Sequence, residues 1–355
     1  MTDESNGETT SRPTRKSNAI ALAIGLVLSV VAVEGTLRLA MPHWREFFSG
    51  WFMQPVDVPG YGRVIIGRPG FDGHFAQNNG DFRIRIRINP FGLRNPEPID
   101  KAGDRVWFIG DSLTFGWGVE QNEIYSSVAG RISGAPAYNV ASPGANVCGY
   151  QALVARMPES SKPRAVILGL ILENDVIKYD CRADITADAA DGDGWRAPHL
   201  KKFLTRNTAL YNFFAVSLKR VALINDALVA LGLVAKSHDY PLELSAERLA
   251  PAVETTVVEI AKLRAMLPAG TPFAVLTVPT PFEIRDRDPF SRQLRTEVST
   301  ALAARGIAVI DPFQALLAAG FSPIYFRHDG HWAPLGHDIA GRAIAKWLRG
   351  QGLGS

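Results

Sequence analysis

The stretch "VWFIGDSLTFGWGV", from Val106 to Val119, is the part of the sequence that decides the fold. Four apolar residues, as expected of a buried strand, run directly into Gly110, Asp111 and Ser112. A small hydroxyl at the end of a buried strand adds nothing to a hydrophobic core. Ser112 is therefore either a residue that caps the next helix or a nucleophile held at the end of a strand.

Five short apolar runs separated by helical stretches predict an α/β fold with a parallel sheet covered on both faces. The runs are RVWFIG (105–110), AYNVAS (137–142), AVILGLIL (165–172), FAVLTV (273–278) and IAVID (307–311).

A long insertion, at about residues 180–255, separates the third run from the fourth. Charges interrupt its apolar helical part, which therefore predicts a cap helix on the core rather than a second membrane span. A membrane-facing or pocket-covering role is the alternative.

The composition is that of a globular protein, with 46% hydrophobic and 21% charged residues. A net charge of +3, without a stripe of Lys and Arg, argues against a nucleic-acid partner. There are only two cysteines, Cys148 and Cys181, which excludes a disulfide-built fold and a four-cysteine zinc site.

The N-terminal part of the chain does not have a globular pattern. Residues 1–17 are polar and predict a disordered cytoplasmic tail. Residues 18–41 contain fifteen uncharged residues, from Ala19 to Val33, followed by Glu34 and Arg38 at the spacing of a helical ion pair. They predict a transmembrane anchor. A cleaved signal peptide is the alternative, which the lack of a small-x-small cleavage site disfavours.

Charged and aromatic residues around the anchor predict its orientation. Arg12, Arg15 and Lys16 precede it closely, so the tail should stay in the cytoplasm. Trp44 and Trp51 follow it as candidate interfacial residues. We expect a single-pass protein of the inner (cytoplasmic) membrane with its main domain on the periplasmic side.

Residues 42–100 predict a linker, at 42–60, and a small β element; residues 101–355 form the main domain. "FRIRIRIN", from Phe82 to Asn89, alternates strictly between apolar residues and arginines and predicts a half-buried strand. Its arginines either protect an edge strand by charge or contact an anionic glycan or lipid head groups.

Polar residues follow several of the predicted strands, at the edge of the sheet where α/β proteins bind ligands. Ser112 follows the first run, Gly144 the second and Asn174 the third, and Asp329 and His331 lie before the last helix. A serine becomes nucleophilic when an imidazole accepts its proton, and the imidazole needs an acceptor on its other nitrogen.

The developing oxyanion then needs donors, for which the N–H groups of Ser112 and Gly144 and the amide of Asn174 are candidates. Asn174 as a turn residue only is the alternative.

A metal site is a further alternative for the histidines. "HDGHWAPLGH" offers His328, Asp329, His331 and His337 as ligands. No second ligand cluster accompanies them, and the serine site already uses two of the four. His337 should lie near the start of the last helix, with His328 a neighbour of the base. We therefore expect neither a metal nor a cofactor.

With these residues in place, the chain resembles the SGNH, or GDSL, hydrolase family. Gly110-Asp111-Ser112-Leu113 matches its first block, Gly144 its glycine block, Asn174-Asp175 its asparagine block, and Asp329 with His331 its last block. The resemblance covers about residues 104–350 in the family's order. It implies a flavodoxin-like three-layer sandwich with a five-stranded parallel sheet, and hydrolysis or transfer of ester-linked acyl groups.

The last block departs from the family pattern. Two residues usually separate its Asp and His, whereas only Gly330 separates Asp329 from His331. This spacing is closer to the alginate-acetylation branch, whose members transfer acetyl groups to exported polysaccharide.

Three functions fit these observations. The first is an esterase that removes acyl groups, such as acetyl, from an envelope or exported glycan. The second is an O-acetyltransferase in which a sugar hydroxyl replaces water. The third is an inactive glycan-binding domain, against which the intact Ser112, Asp329 and His331 argue. The sequence does not separate the first two, because pocket shape and water exclusion select the acceptor.

Cys148 and Cys181 follow the second and third runs, in predicted loops at the rim of the proposed site. The family's sheet order places these two strands on opposite sides of the first strand, so their loops meet only by folding over the nucleophile. Two unpaired thiols and a disulfide are both compatible with the sequence. Export to an oxidising compartment favours the disulfide, which we predict.

Overall fold

The computed structural model describes residues 15–77, 81–181, 203–204, 206–217, 244–327 and 329–354. Most of the predicted tail, at residues 1–14, and two parts of the predicted insertion, at 182–202 and 218–243, lie outside the described residues.

The described residues contain both the predicted strands and a series of helices. The strands are β1 (Met53–Val58), β2 (Gly62–Gly67), β3 (Asp72–Ala76), β4 (Arg83–Arg87), β5 (Val106–Gly110), β6 (Ala137–Ala141), β7 (Ala165–Ile171), β8 (Phe273–Val278) and β9 (Ala308–Ile310). The α-helices are α1 (Arg15–Ala40), α2 (Ser112–Phe115), α3 (Tyr125–Ser133), α4 (Val147–Ala155), α5 (Ala209–Ser217), α6 (Ala246–Ala265), α7 (Pro281–Arg285), α8 (Pro289–Ala304), α9 (Phe313–Ala319), α10 (Phe321–Ile324) and α11 (Pro334–Gly350). Short 3-10 helices lie at Trp44–Phe47, Ser49–Trp51, Ile99–Lys101 and Gln121–Glu123.

The five predicted apolar runs form one parallel sheet in the order β6-β5-β7-β8-β9. Counted along the chain from β5, this is the flavodoxin-like order 2-1-3-4-5. The predicted fold class is confirmed. Because β5 lies between β6 and β7, the loops after these two strands flank Ser112.

Alternate residues of β5 enter two separate hydrophobic cores, which makes the domain a three-layer sandwich. Trp107 and Ile109 pack with residues of α4, α6 and α8, including Ile260. Val106 and Phe108 pack with residues of α3, α9 and α11 on the opposite face. A strand buried on both faces is necessarily apolar throughout, as the sequence of β5 is.

Helix α1 contains the predicted anchor. Its residues Asn18–Ala40 have a mean hydropathy of 2.3 and none of them is buried, and among the described residues this is the one helix long and apolar enough to span a membrane. The domain boundaries and the membrane placement stay predictions.

Two antiparallel hairpins, β1–β2 and β3–β4, precede the sheet. In β4 the isoleucines are buried and the arginines exposed, as predicted. Arg83 pairs with Glu46, and Arg85 and Arg87 pair with Asp72, so carboxylates of the same chain bind all three arginines. The stretch 42–60, expected to be a linker, holds two 3-10 helices and β1, because Trp44 and Phe52 bury their side chains there.

The hairpins pack against the start of the main domain. Phe52, Phe75 and Ile86 form a third core with Phe115 of α2. Arg94, which is fully buried, donates hydrogen bonds to the carbonyls of Gly116 (2.5 Å) and Val119 (2.8 Å). The turn that follows Ser112 is therefore fixed from the hairpin side.

A disulfide joins Cys148 to Cys181, with 5.4 Å between their Cα atoms, as predicted. Cys148 lies in the first turn of α4 and not in a loop, because Asn146 caps the helix by accepting a hydrogen bond from the Gly149 N–H. The bridge links the segments that follow β6 and β7, across the end of β5.

Replacing both cysteines with alanine should lower the free energy of unfolding by about 3–4 kcal/mol, because the bridge closes a 33-residue loop. Denaturant titration of the full chain in detergent measures this difference. Reductant should shift the midpoint of the native chain and leave that of the double variant unchanged. Equal midpoints for native and variant chains would contradict the prediction.

Candidate active site

Ser112 is placed by the tight turn between β5 and α2. The side chain of Asp111 caps α2 by accepting a hydrogen bond from the Leu113 N–H (3.2 Å). A Cβ at position 110 would overlap Thr114 Oγ1, so only glycine lets α2 approach the strand this closely. The cap prediction thus applies to Asp111, whereas Ser112 is the first residue of the helix and lines a cavity.

In the structure, the side chains of Ser112, His331 and Asp329 form a continuous chain of hydrogen bonds. His331 Nε2 lies 2.8 Å from Ser112 Oγ, and His331 Nδ1 hydrogen-bonds Asp329. The loop that carries the histidine is closed by a β-bridge between Tyr325 and Trp332. These contacts join residues that are far apart in the chain, as the sequence predicts; their roles in catalysis stay a prediction.

The short spacing between Asp329 and His331 has a local explanation. Asp329 Oδ1 accepts hydrogen bonds from both the backbone N–H (2.9 Å) and the ring of His331. Burial acts to raise the pKa of Asp329, but the hydrogen bonds and charge of His331, with a hydrogen bond from Gln77, outweigh it and lower the pKa. One intervening residue is therefore enough to orient the imidazole.

Gly144 and Asn174, the predicted oxyanion donors, line the same cavity of about 600 Å³ as Ser112 and His331. Gly144 has a φ of 78° in the turn whose closing hydrogen bond runs from the Ala145 N–H to the Ser142 carbonyl. This conformation favours glycine.

Asn174 is presented by a turn that the next residue holds in place. Buried Asp175 accepts hydrogen bonds from the Ile171 N–H (2.8 Å) and the Tyr150 hydroxyl (2.9 Å). Asn174 itself is exposed at the cavity.

Three further residues of the site were not predicted from the sequence. Gln77 Nε2, at the end of the β3–β4 hairpin, donates a hydrogen bond to Asp329 Oδ2. The Trp117 ring stacks on the His331 ring with 5.7 Å between centroids. Glu173 lines the cavity. Glu173 adjoins Asn174, so the motif itself could have indicated it; Gln77 has no sequence signal, because the hairpin precedes every motif.

Two carboxyl groups at the site hold protons more readily than usual. Burial raises the pKa of Asp111 to about 6, although the charge of His331 acts against the shift. Burial likewise raises the pKa of Glu173 to about 7. Asp329, whose pKa is instead lowered, is the carboxylate that hydrogen-bonds the His331 ring.

The alternative metal site receives no support in its geometry. His337 lies in the first turn of α11, as predicted, where it is fully buried and stacks on Tyr125. Burial lowers its pKa to about 3. Within the described part of the chain no three His, Cys, Asp or Glu side chains are placed to bind a metal ion, and His328 lies outside that part.

The C-terminal part of the chain, which contains Asp329 and His331, is similar to SGNH hydrolases. Residues 243–355 match the family model for the SGNH hydrolase-like domain of acetyltransferase AlgX. No curated protein sequence matches the chain significantly.

Solved structures give only a loose likeness. A lipolytic protein of the G-D-S-L family from Veillonella parvula is 14% identical, with 69% of this chain and 98% of that chain covered and a TM-score of 0.39. A carbohydrate esterase of family 2 from Corynascus thermopiles is 14% identical, with 70% and 66% covered and a TM-score of 0.40. The lipase/acylhydrolase from Enterococcus faecalis is 13% identical, with 70% and 96% covered and a TM-score of 0.39.

Replacing Gln77 with leucine should lower turnover of an ester and shift the acid limb of its pH profile upward. Without the amide donor, the Asp329 carboxylate binds a proton more readily, so activity falls off at a higher pH. Initial rates across pH test this. Gln351→Leu, at the exposed C-terminal end, is the matched control. Lower activity with an unchanged pH profile would limit Gln77 to a structural role.

Proposed function

We propose that the protein transfers acyl groups through Ser112, with His331 as the general base and Asp329 as its orienting carboxylate. The hydrogen bond of 2.8 Å between His331 Nε2 and Ser112 Oγ is the observation that carries the proposal. A serine needs this contact to lose its proton as it attacks. The same contact favours an active enzyme over an inactive glycan-binding domain.

The proposed reaction has two steps. Ser112 Oγ attacks the acyl carbon while its proton passes to His331 Nε2. The adduct collapses to an acyl-serine, and the leaving alcohol takes the proton from His331. Water or another hydroxyl then attacks the acyl carbon, His331 accepts its proton and returns it to the departing Ser112 Oγ. No metal or cofactor enters this scheme.

The N–H groups of Ser112 and Gly144 and the amide of Asn174 are the proposed donors to the oxyanion. Their support is their common position around the cavity that contains Ser112 Oγ. Preorganised donors of this kind each contribute roughly 10²–10³ in rate.

The proposed substrate is an ester of a small acyl group, such as acetyl, on an envelope or exported glycan, and water is the proposed acceptor. O-acetyl transfer to an exported polysaccharide is the second candidate. The match of residues 243–355 to the AlgX acetyltransferase model favours this candidate, because that stretch includes Asp329 and His331.

We further propose that α1 anchors the protein in the inner (cytoplasmic) membrane, with the catalytic domain on the periplasmic side. The length and hydropathy of α1 support the anchor. Arg15 and Lys16 at its start support a cytoplasmic N-terminus. A disulfide in the main domain fits an oxidising compartment.

Ser112→Ala and His331→Ala should each lower the turnover of a small aryl ester by several orders of magnitude, because the two residues act as one unit. Asp329→Asn should cost somewhat less. Hydrolysis of 4-nitrophenyl acetate by the full chain measures this, with the exposed Ser322→Ala as the matched control. Wild-type turnover by a folded Ser112→Ala protein would remove the proposed mechanism.

The acceptor is tested with an acetyl donor, in the presence and absence of an oligosaccharide with free hydroxyls. We expect free acetate as the main product at a rate that the oligosaccharide does not change. Mass spectrometry and acetate release measure the two products, and Ser112→Ala gives the background. Acetylated oligosaccharide at the expense of free acetate would instead support the transferase.

A further inference from the structure

A segment of the predicted insertion docks on the C-terminal half of α1. This docked segment comprises residues 203–204 and 206–217. The Glu34 carboxylate accepts hydrogen bonds from the backbone N–H groups of Ala209 (2.9 Å) and Leu210 (2.7 Å). Arg38 donates to the carbonyl of Asn207 (2.7 Å) and to Glu34 (2.6 Å). The N-terminal end of α5 is thereby fixed at the level of Glu34.

The length of α1 places this contact near a membrane surface. The uncharged run from Ala19 to Val33 spans about 22 Å at about 1.5 Å per residue. The hydrocarbon core of a bilayer is about 30 Å thick. If the core begins at Ala19, Glu34 lies about 22 Å and Arg38 about 28 Å along it, so both residues fall in its last third. A charged pair is costly there unless it is satisfied, and the docked segment satisfies it.

The face of α5 turned away from the protein is apolar. Ala209 and Asn212 are buried. Leu210, Phe213 and Phe214 recur at the i, i+3, i+4 spacing of one helix face. Phe213 is 37% exposed, Phe214 47%, and Phe203 at the start of the segment 60%. Such a stripe is unfavourable in water and suited to the acyl-chain boundary of a bilayer.

Arginines and tryptophans surround the same contact. Arg45 lies over the rings of Trp44 (5.2 Å) and Trp51 (5.7 Å), and Arg206 of the docked segment lies over Trp51 (5.5 Å). Trp44 is buried, whereas Trp51 is partly exposed, and a partly exposed Trp between arginines suits a membrane interface, where arginine pairs with lipid phosphates.

We propose that the docked segment is a second membrane contact, lying in the bilayer interface beside α1 with Phe213 and Phe214 among the acyl chains. The partner is the lipid bilayer itself. This inference rests on the membrane anchor proposed above. Its consequence is that the main domain is held at the membrane at two points rather than by one flexible tether.

Nitroxide labels on single added cysteines test this in the full chain, reconstituted in nanodiscs of phosphatidylcholine and phosphatidylglycerol. Phe213→Cys and Phe214→Cys report on the docked segment, and Leu26→Cys on the middle of α1. Leu335→Cys is the matched control, because Leu335 is 41% exposed on the main domain. Power saturation compares collision with oxygen, which enters lipid, and with a water-soluble nickel chelate. The ratio of oxygen to nickel accessibility at 213 and 214 should exceed that at 335 several-fold.

Each other outcome overturns the inference in a recognisable way. If the labels at positions 213 and 214 have the same accessibility ratio as the label at 335, while the label at 26 is in lipid, the second contact is disproved and the anchor is retained. Labels shielded from both reagents would show that protein covers the face. A label at 26 in water would remove the anchor and the second contact together, while leaving the proposed chemistry of Ser112 untouched. Unchanged ester hydrolysis verifies that each variant is folded.

Discussion

The hydrogen bond between Ser112 and His331 joins residues 219 positions apart, and most of the fold acts to make it possible. The position of Ser112 is fixed by β5, which lies between β6 and β7 in the sheet. The histidine depends on α11, which packs directly against α3. A Cβ at Gly341 would lie only 3.0 Å from the Tyr125 carbonyl oxygen, so this glycine allows the close approach of the two helices. Any change in that packing would move His331 relative to Ser112.

The hairpins that precede the sheet also contribute to the site, through contacts with Trp117 and Asp329. Their aromatic core contacts Trp117, which stacks on His331, while Gln77 reaches Asp329 directly. Arg94 holds the carbonyls of the turn that carries Trp117. A segment that looks like a connection between an anchor and a domain is therefore part of what orients the imidazole and its carboxylate.

The sequence allowed the sheet to be predicted because its strands are mostly apolar, and β5, β7 and β8 are buried along their whole length. It allowed Ser112, Gly144, Asn174, Asp329 and His331 to be placed together, because strand ends of a parallel sheet meet at one edge. Gln77 and Trp117 could not be predicted, since their roles depend on how the hairpins pack on that edge. The secondary structure within 42–60 could not be predicted for a similar reason, because Phe52 packs against Phe75 and Phe115, which lie further along the chain.

Two buried carboxyl groups behind the serine show what the site costs in stability. Burial raises the pKa of Asp111 to about 6, and burial with the charge of Asp111 raises the pKa of Asp175. A folded-state pKa above the unfolded value means that the folded protein binds more protons between the two values. The contribution of Asp111 to stability therefore falls as the pH rises from about 4 to about 6, and above that range its charge opposes folding.

Both groups have structural tasks that an apolar residue cannot perform, since Asp111 caps the helix that begins with Ser112 and Asp175 holds the turn that presents Asn174. The precise placement of Ser112 and of one proposed oxyanion donor is thus obtained at the expense of stability near neutral pH. The disulfide between Cys148 and Cys181, which links the segments after β6 and β7, acts in the opposite direction.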